Sequence, residues 1–106
     1  MQDRFFSEHW NDNNLNPTGG TTSGRGFTIS WQNGPLGRGE ERREPNGAFV
    51  ETVIAAVIDR LNFYEESKFN CEENRMAIYH LQEALRVLNE RTTKREQAGT
   101  EGTHKE

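Results

Sequence analysis

Two groups of side chains carry the chemistry this sequence offers. Phe63, Tyr64, Phe69, Asn70 and Asn74 fall close together, and Arg91, Lys94 and Arg95 follow further along. These types suit a nucleotide: aromatic faces stack a base, a carboxamide both donates to and accepts from its edge, and guanidinium groups pair bidentately with phosphate oxygens. A second reading of each group stays open. Arg91-Thr92-Thr93-Lys94-Arg95 also suits the end of a helix, where cations complement the macrodipole, and aromatics at a helix end also serve as core. Catalytic signatures do not accompany these groups. There is no phosphate-cradling glycine loop followed by Lys and Ser/Thr, no Cys-x-x-Cys pair and no His-Glu-x-x-His. His9, His80 and His104 are scattered, whereas a metal site needs three or four converging ligands. No serine or cysteine has a local neighbour to activate it. The expectation is a binding protein rather than an enzyme, with no cofactor.

Positioning these side chains falls to two helices. Val50, Val53, Ile54, Val57, Ile58 and Leu61 recur at spacings of three and four, with Glu51, Asp59 and Arg60 off the stripe. Asn46, after Pro45 and before Gly47, is the expected N-cap. The β-branched residues in this stripe weaken intrinsic helicity, so packing must hold the helix. Residues 66–70 interrupt the pattern. A second helix is expected from Cys71 or Glu72 to about Gln97, with Ala77, Ile78, Leu81, Ala84, Leu85 and Leu88 as its stripe. Asn70 would cap it, Glu72 and Glu73 would provide first-turn acids, and Gly99 and Gly102 would stop it. So short a link makes the helices antiparallel. Asn74 and Arg91 are then about 25 Å apart at 1.5 Å of rise per residue, and only an antiparallel neighbouring copy would bring both groups around one ligand. Phe49, Phe63, Tyr64, Tyr79 and Val87 lie off the tightest seam and ask for self-association.

Upstream, Phe27-Thr28-Ile29-Ser30-Trp31 alternates large apolar with hydroxyl side chains, the pattern of a half-buried strand. The following Gln32-Asn33-Gly34-Pro35-Leu36-Gly37-Arg38-Gly39 is a loop with exposed amides and a possible role in ligand binding. Residues 1–25 are rich in Asn, Gly, Thr and Ser and are expected to be a flexible arm, either disordered or docked through Phe5, Phe6 and Trp10. The fold class is therefore mainly α: a two-helix antiparallel hairpin with a short N-terminal β segment, assembled as a homo-oligomer. Residues 26–106 form its strand, loop and ligand-binding hairpin.

Composition narrows the partners. An apolar fraction of 31% and a mean hydropathy of -1.00 are low for a chain of 106 residues that must build its own core. A net charge of -4 and a pI near 5.4 argue against a nucleic-acid polymer as partner. Cys71 is alone and cannot form an intramolecular disulfide. Asp3, Glu8 and Asp12 interrupt any leader-like apolar stretch, and no run reaches the ~20 apolar residues of a membrane span. A soluble, cytoplasmic protein without membrane partners is expected.

Three stretches together resemble one family. The first is Trp31-Gln32-Asn33-Gly34-Pro35-Leu36-Gly37 with Glu44-Pro45-Asn46-Gly47-Ala48-Phe49-Val50-Glu51. The second is Asp59-Arg60-Leu61-Asn62-Phe63-Tyr64 with Ser67-Lys68-Phe69. The third is Leu88-Asn89-Glu90-Arg91-Thr92 with Arg95-Glu96 and Glu101-Gly102-Thr103-His104. They look like the Acb/Tad hairpin-domain proteins of phages, sponges that defeat Thoeris and CBASS immunity, over about residues 26 to 106. The third stretch is the most specific. The β segment favours the anti-Thoeris branch. The resemblance implies sequestration, without cleavage, of a cyclic ADP-ribose isomer or a cyclic oligonucleotide in the cytoplasm of the infected bacterial host, by an even-numbered assembly such as a hexamer. It places Tyr64, Asn74, Arg91 and Arg95 in the cyclic ADP-ribose pocket, joined by Phe63, Phe69 and Arg38. Glu101, Gly102 and Thr103 resemble a second pocket for cyclic oligonucleotides at a protomer junction, with Thr100 a departure from other branches. The rival from another class is a small helical-hairpin adaptor or structural protein that docks on a larger partner.

Overall fold

In the computed structural model the described residues are 4–34 and 44–97, with side chains described as far as Lys94. Strands β1 (Phe5–Asn11), β2 (Pro17–Gly24) and β3 (Phe27–Trp31) precede helices α1 (Val50–Glu65) and α2 (Glu72–Gln97). The chain divides into a sheet unit and a helical unit, the latter running from Val50 to Gln97.

The sheet is antiparallel, in the order β1-β2-β3. Residues 1–25, expected to be a flexible arm, instead supply two of its three strands. The reason is that pairing satisfies the backbone without demanding an apolar face. β2 is Pro-Thr-Gly-Gly-Thr-Thr-Ser-Gly and β1 is exposed along its whole length, so neither shows the alternation that burial of one face would impose. Asp12 shapes the β1–β2 connection: its Oδ1 accepts from the backbone N–H of Asn14 at 2.8 Å and of Asn16 at 3.0 Å. Between β2 and β3 the two residues Arg25 and Gly26 make the turn, Gly26 with φ 83°. Pairing sets Ser7 opposite Thr22 and Thr22 opposite Ile29. The Thr22 hydroxyl lies 2.9 Å from that of Ser7 and accepts the Trp31 indole N–H at 2.8 Å. β3 occupies the expected positions, with Phe27, Ile29 and Trp31 on one face.

Asn46, expected to cap α1, has a different role, and the helix starts at Val50. Its carboxamide oxygen accepts from Asn33 N–H at 2.8 Å, its amide donates to Asn33 O at 3.2 Å, and its own N–H donates to Gln32 Oε1 at 2.9 Å. This clasp joins the two stretches flanking residues 35–43. It is extended by Ala48 N–H to Ser30 O at 2.7 Å and Gln32 N–H to Ala48 O at 3.0 Å. Gly47 is needed here because a Cβ would sit 2.5 Å from the Trp31 carbonyl.

α2 folds back along α1 as an antiparallel hairpin, with Ile58 buried and Val53, Ile54, Leu61, Ala77, Ile78, Leu81, Ala84, Leu85 and Leu88 half-buried. The helical periodicity thus places most of the seam where the sequence puts it, but Val50 and Val57 of the expected α1 stripe remain exposed. Asn70, expected to cap α2, donates its side-chain amide to Ser67 O at 2.9 Å. The cap is Cys71, whose Sγ accepts from Asn74 N–H at 3.4 Å. Among the described residues no helix is long and apolar enough to cross a membrane.

Candidate functional site at the hairpin link

The end of α1, residues 66–71 and the first turn of α2 form one hydrogen-bonded structure. Tyr64 O accepts the Ser67 hydroxyl at 2.6 Å, that hydroxyl oxygen accepts Phe69 N–H at 3.1 Å, and Phe69 O accepts the Asn74 side-chain amide at 3.3 Å. Three of the residues expected to line a pocket are therefore linked, Tyr64 to Phe69 through Ser67 and Asn74 to the Phe69 carbonyl. Phe63 joins them, its ring centroid 6.0 Å from that of Tyr64 at a 54° tilt. Phe63 is 56% exposed and Phe69 63%, while Tyr64 and Asn74 are half-buried. One Asn74 amide donor is committed to the link, which lessens what the side chain can offer a base edge.

Glu65 braces the same corner. Its Oε1 accepts Cys71 N–H at 2.9 Å and its Oε2 pairs with Arg75 Nη1 at 3.1 Å. The Cys71 amide lowers its carboxyl most, desolvation opposes this as the next-largest effect, and the side chains of Arg75 and Asn74 add to the lowering, so that it stays below the ordinary 4.5. A carboxylate from the preceding helix thus satisfies an amide that α2 leaves orphaned.

Arg60 is the residue that sequence reasoning missed. One turn before the aromatic pair, its guanidinium carbon lies 4.9 Å from the ring centroids of both Phe63 and Tyr64, and its Nε donates to the Tyr64 hydroxyl at 3.1 Å. The i, i+3 and i, i+4 spacing was the available signal. Lys68 similarly approaches the Phe69 ring at 5.5 Å.

Arg91 is not with this group. It lies exposed near the other end of α2, about 25 Å along the axis from Asn74, and forms no ion pair with a described residue. The backbone of Arg95 belongs to α2 but its side chain lies outside the described set, as do Arg38, Glu101, Gly102 and Thr103 entirely. An open groove along α2 is lined by Leu85, Asn89, Thr93 and Lys94 among others. It lies on a face without Arg91 and shares no residue with the link, so its concavity alone does not mark it as the site. Arg86, also in its lining, is held by Glu83 at 3.0 Å and Glu90 at 2.6 Å, and Glu83 and then Glu90 raise its pKa above the ordinary value. Among the described residues no group of three or more His, Cys, Asp or Glu is arranged to hold a metal ion.

What fold and link define is an antiparallel helical hairpin preceded by a three-stranded sheet, with an aromatic corner braced by the Glu65–Arg75 ion pair. Residues 25–93 match the model of the "Acb2/Tad1, hairpin domain", and the chain belongs to that family. It is also 48% identical over 82 residues to a protein of Bacillus phage SBSphiJ7 named Thoeris anti-defense 1, the match covering 77% of this chain and 55% of that protein. The chain spans about half the length of this curated relative.

Proposed function

We propose that the protein is a phage immune-evasion sponge that binds a cyclic nucleotide signal and removes it from solution without cleaving it. A cyclic ADP-ribose isomer is the first candidate and a cyclic oligonucleotide the second, and the site of action is the cytoplasm of the infected host. The carrying observation is the link end of the hairpin. Phe63 and Phe69 are open to solvent beside a tethered Tyr64 and Asn74, with the cations Arg60 and Lys68 on the rings. That combination suits a planar base with anionic substituents. The relative named for action against Thoeris supports the same direction.

Sequestration requires affinity and copies, and nanomolar binding corresponds to about -12 kcal/mol. Stacking and Arg–phosphate pairs supply it if Arg91 and Arg95 of a neighbouring protomer meet the link residues, as the antiparallel assembly would allow. The proposed assembly is even-numbered, with a hexamer as its expected form. By resemblance, Arg38 joins the cyclic ADP-ribose pocket, and Glu101, Gly102 and Thr103 form the pocket for cyclic oligonucleotides.

The test is to incubate the purified protein with a cyclic ADP-ribose isomer, separate the protein from free ligand, heat-denature it and assay the released molecule. Recovery of intact ligand is expected. Degraded ligand would make the protein an enzyme, and no uptake of this ligand or of cyclic oligonucleotides would favour an adaptor.

A further inference from the structure

Arginines in the hairpin fall into two kinds. Arg75 is neutralised by Glu65, and Arg86 by Glu83 and Glu90. Arg60 has no carboxylate partner among the described residues. Instead it sits over two aromatic rings with its Nε–H given to the Tyr64 hydroxyl. An aromatic face attracts a guanidinium without cancelling its charge, and the Tyr64 bond fixes its rotation. Its two terminal nitrogens, the prongs of the planar fork, have no hydrogen bond to a described residue.

From this geometry we infer that Arg60 is a phosphate-binding residue of the hairpin, preset by Phe63 and Tyr64 to take an anionic oxygen of a nucleotide whose base stacks on the aromatic corner. The inference rests on the proposed function and deepens it, because it assigns a phosphate contact to the same end of the same protomer as the rings. A ligand that joins a base and a phosphate by a short linker would meet both without help from another copy. Enclosure by a neighbour then adds to a site that one hairpin already begins. The aromatic pair has a double role: it offers a stacking surface and holds the cation, which reduces the side-chain freedom Arg60 loses on binding.

The experiment is titration calorimetry of the full chain with a cyclic ADP-ribose isomer at several salt concentrations, for wild type, Arg60→Ala, Arg60→Lys and the surface control Arg86→Ala. Circular dichroism and size exclusion confirm an unchanged fold and assembly. Arg60→Ala is expected to bind about ten- to a hundredfold more weakly, the scale of a lost charge-assisted contact, and to show a flatter dependence on salt. Arg60→Lys should recover the salt dependence but not the full affinity, since it lacks the fork. Arg86→Ala should bind as wild type. Wild-type affinity in Arg60→Ala would overturn the inference, as would a loss of affinity with unchanged salt dependence, which would make Arg60 only a support for the rings. Failure of the wild type itself to bind would instead count against the proposed function.

Discussion

Arg91 and Arg95 allow two readings that differ in what their removal does. As complements to the end of α2, each would contribute about 0.3 to 1 kcal/mol of stability and nothing to binding. As phosphate clamps, each would cost about 1.5 to 3 kcal/mol of binding for a lost charge-assisted hydrogen bond. Arg91 is exposed and forms no ion pair with a described residue, which leaves its charge available. Calorimetry of Arg91→Ala and Arg95→Ala with a cyclic ADP-ribose isomer is therefore expected to show the larger loss, with Lys at either position restoring only part of it. Unchanged affinity in both variants would remove them from the site. Aromatic and carboxamide members of the proposed site could be named from the sequence because their types state their chemistry. The role proposed for Arg60 could not, because it depends on which rings its helix phase places beside it.

At the scale of elements, the hairpin is held at its corner by a carboxylate. Glu65 is held below its ordinary pKa of 4.5 by the Cys71 amide first and by Arg75 and Asn74 after it. Below about 4.5 the unfolded chain therefore takes up the proton before the folded one does. The stabilising contribution of Glu65 is complete above the unfolded value and disappears as pH falls through the folded value. Denaturant unfolding followed by helical circular dichroism, near neutral pH and at about pH 3, should show wild type losing more of its midpoint on acidification than Glu65→Gln. Equal losses would mean that the carboxylate does not brace the link.

The two helices were legible because an apolar stripe at spacings of three and four has one physical solution, whereas β1 and β2 were hidden because nothing in them is apolar on one face only. Both cap assignments failed for a related reason. Asn46 is claimed by Gln32 and Asn33, residues that the fold brings to it, and the Cys71 sulfur takes the place expected of Asn70. Local sequence lists the candidates for a cap, but only tertiary contacts choose between them.

At the scale of the molecule, apolar surface remains uncovered on the hairpin. Val57 is 46% exposed, Met76 49%, Tyr79 55% and Val87 53%. Exposed large apolar side chains on both helices are what self-association would cover. Multi-angle light scattering should give a mass that is an even multiple of the 12.2 kDa chain. A monodisperse particle of 12.2 kDa at micromolar concentration would overturn both the assembly and the pocket between protomers.

Ile58 is the single apolar side chain among the described residues that is buried. In the proposed assembly a chain with so little interior would draw cohesion from its neighbours, and folding and assembly would form one mass-action equilibrium. Its melting temperature should then rise with protein concentration. On the proposed function, such a protein would be scarcely folded when its first copies are made in an infected cell, and stability and binding capacity would increase together as its dose accumulates.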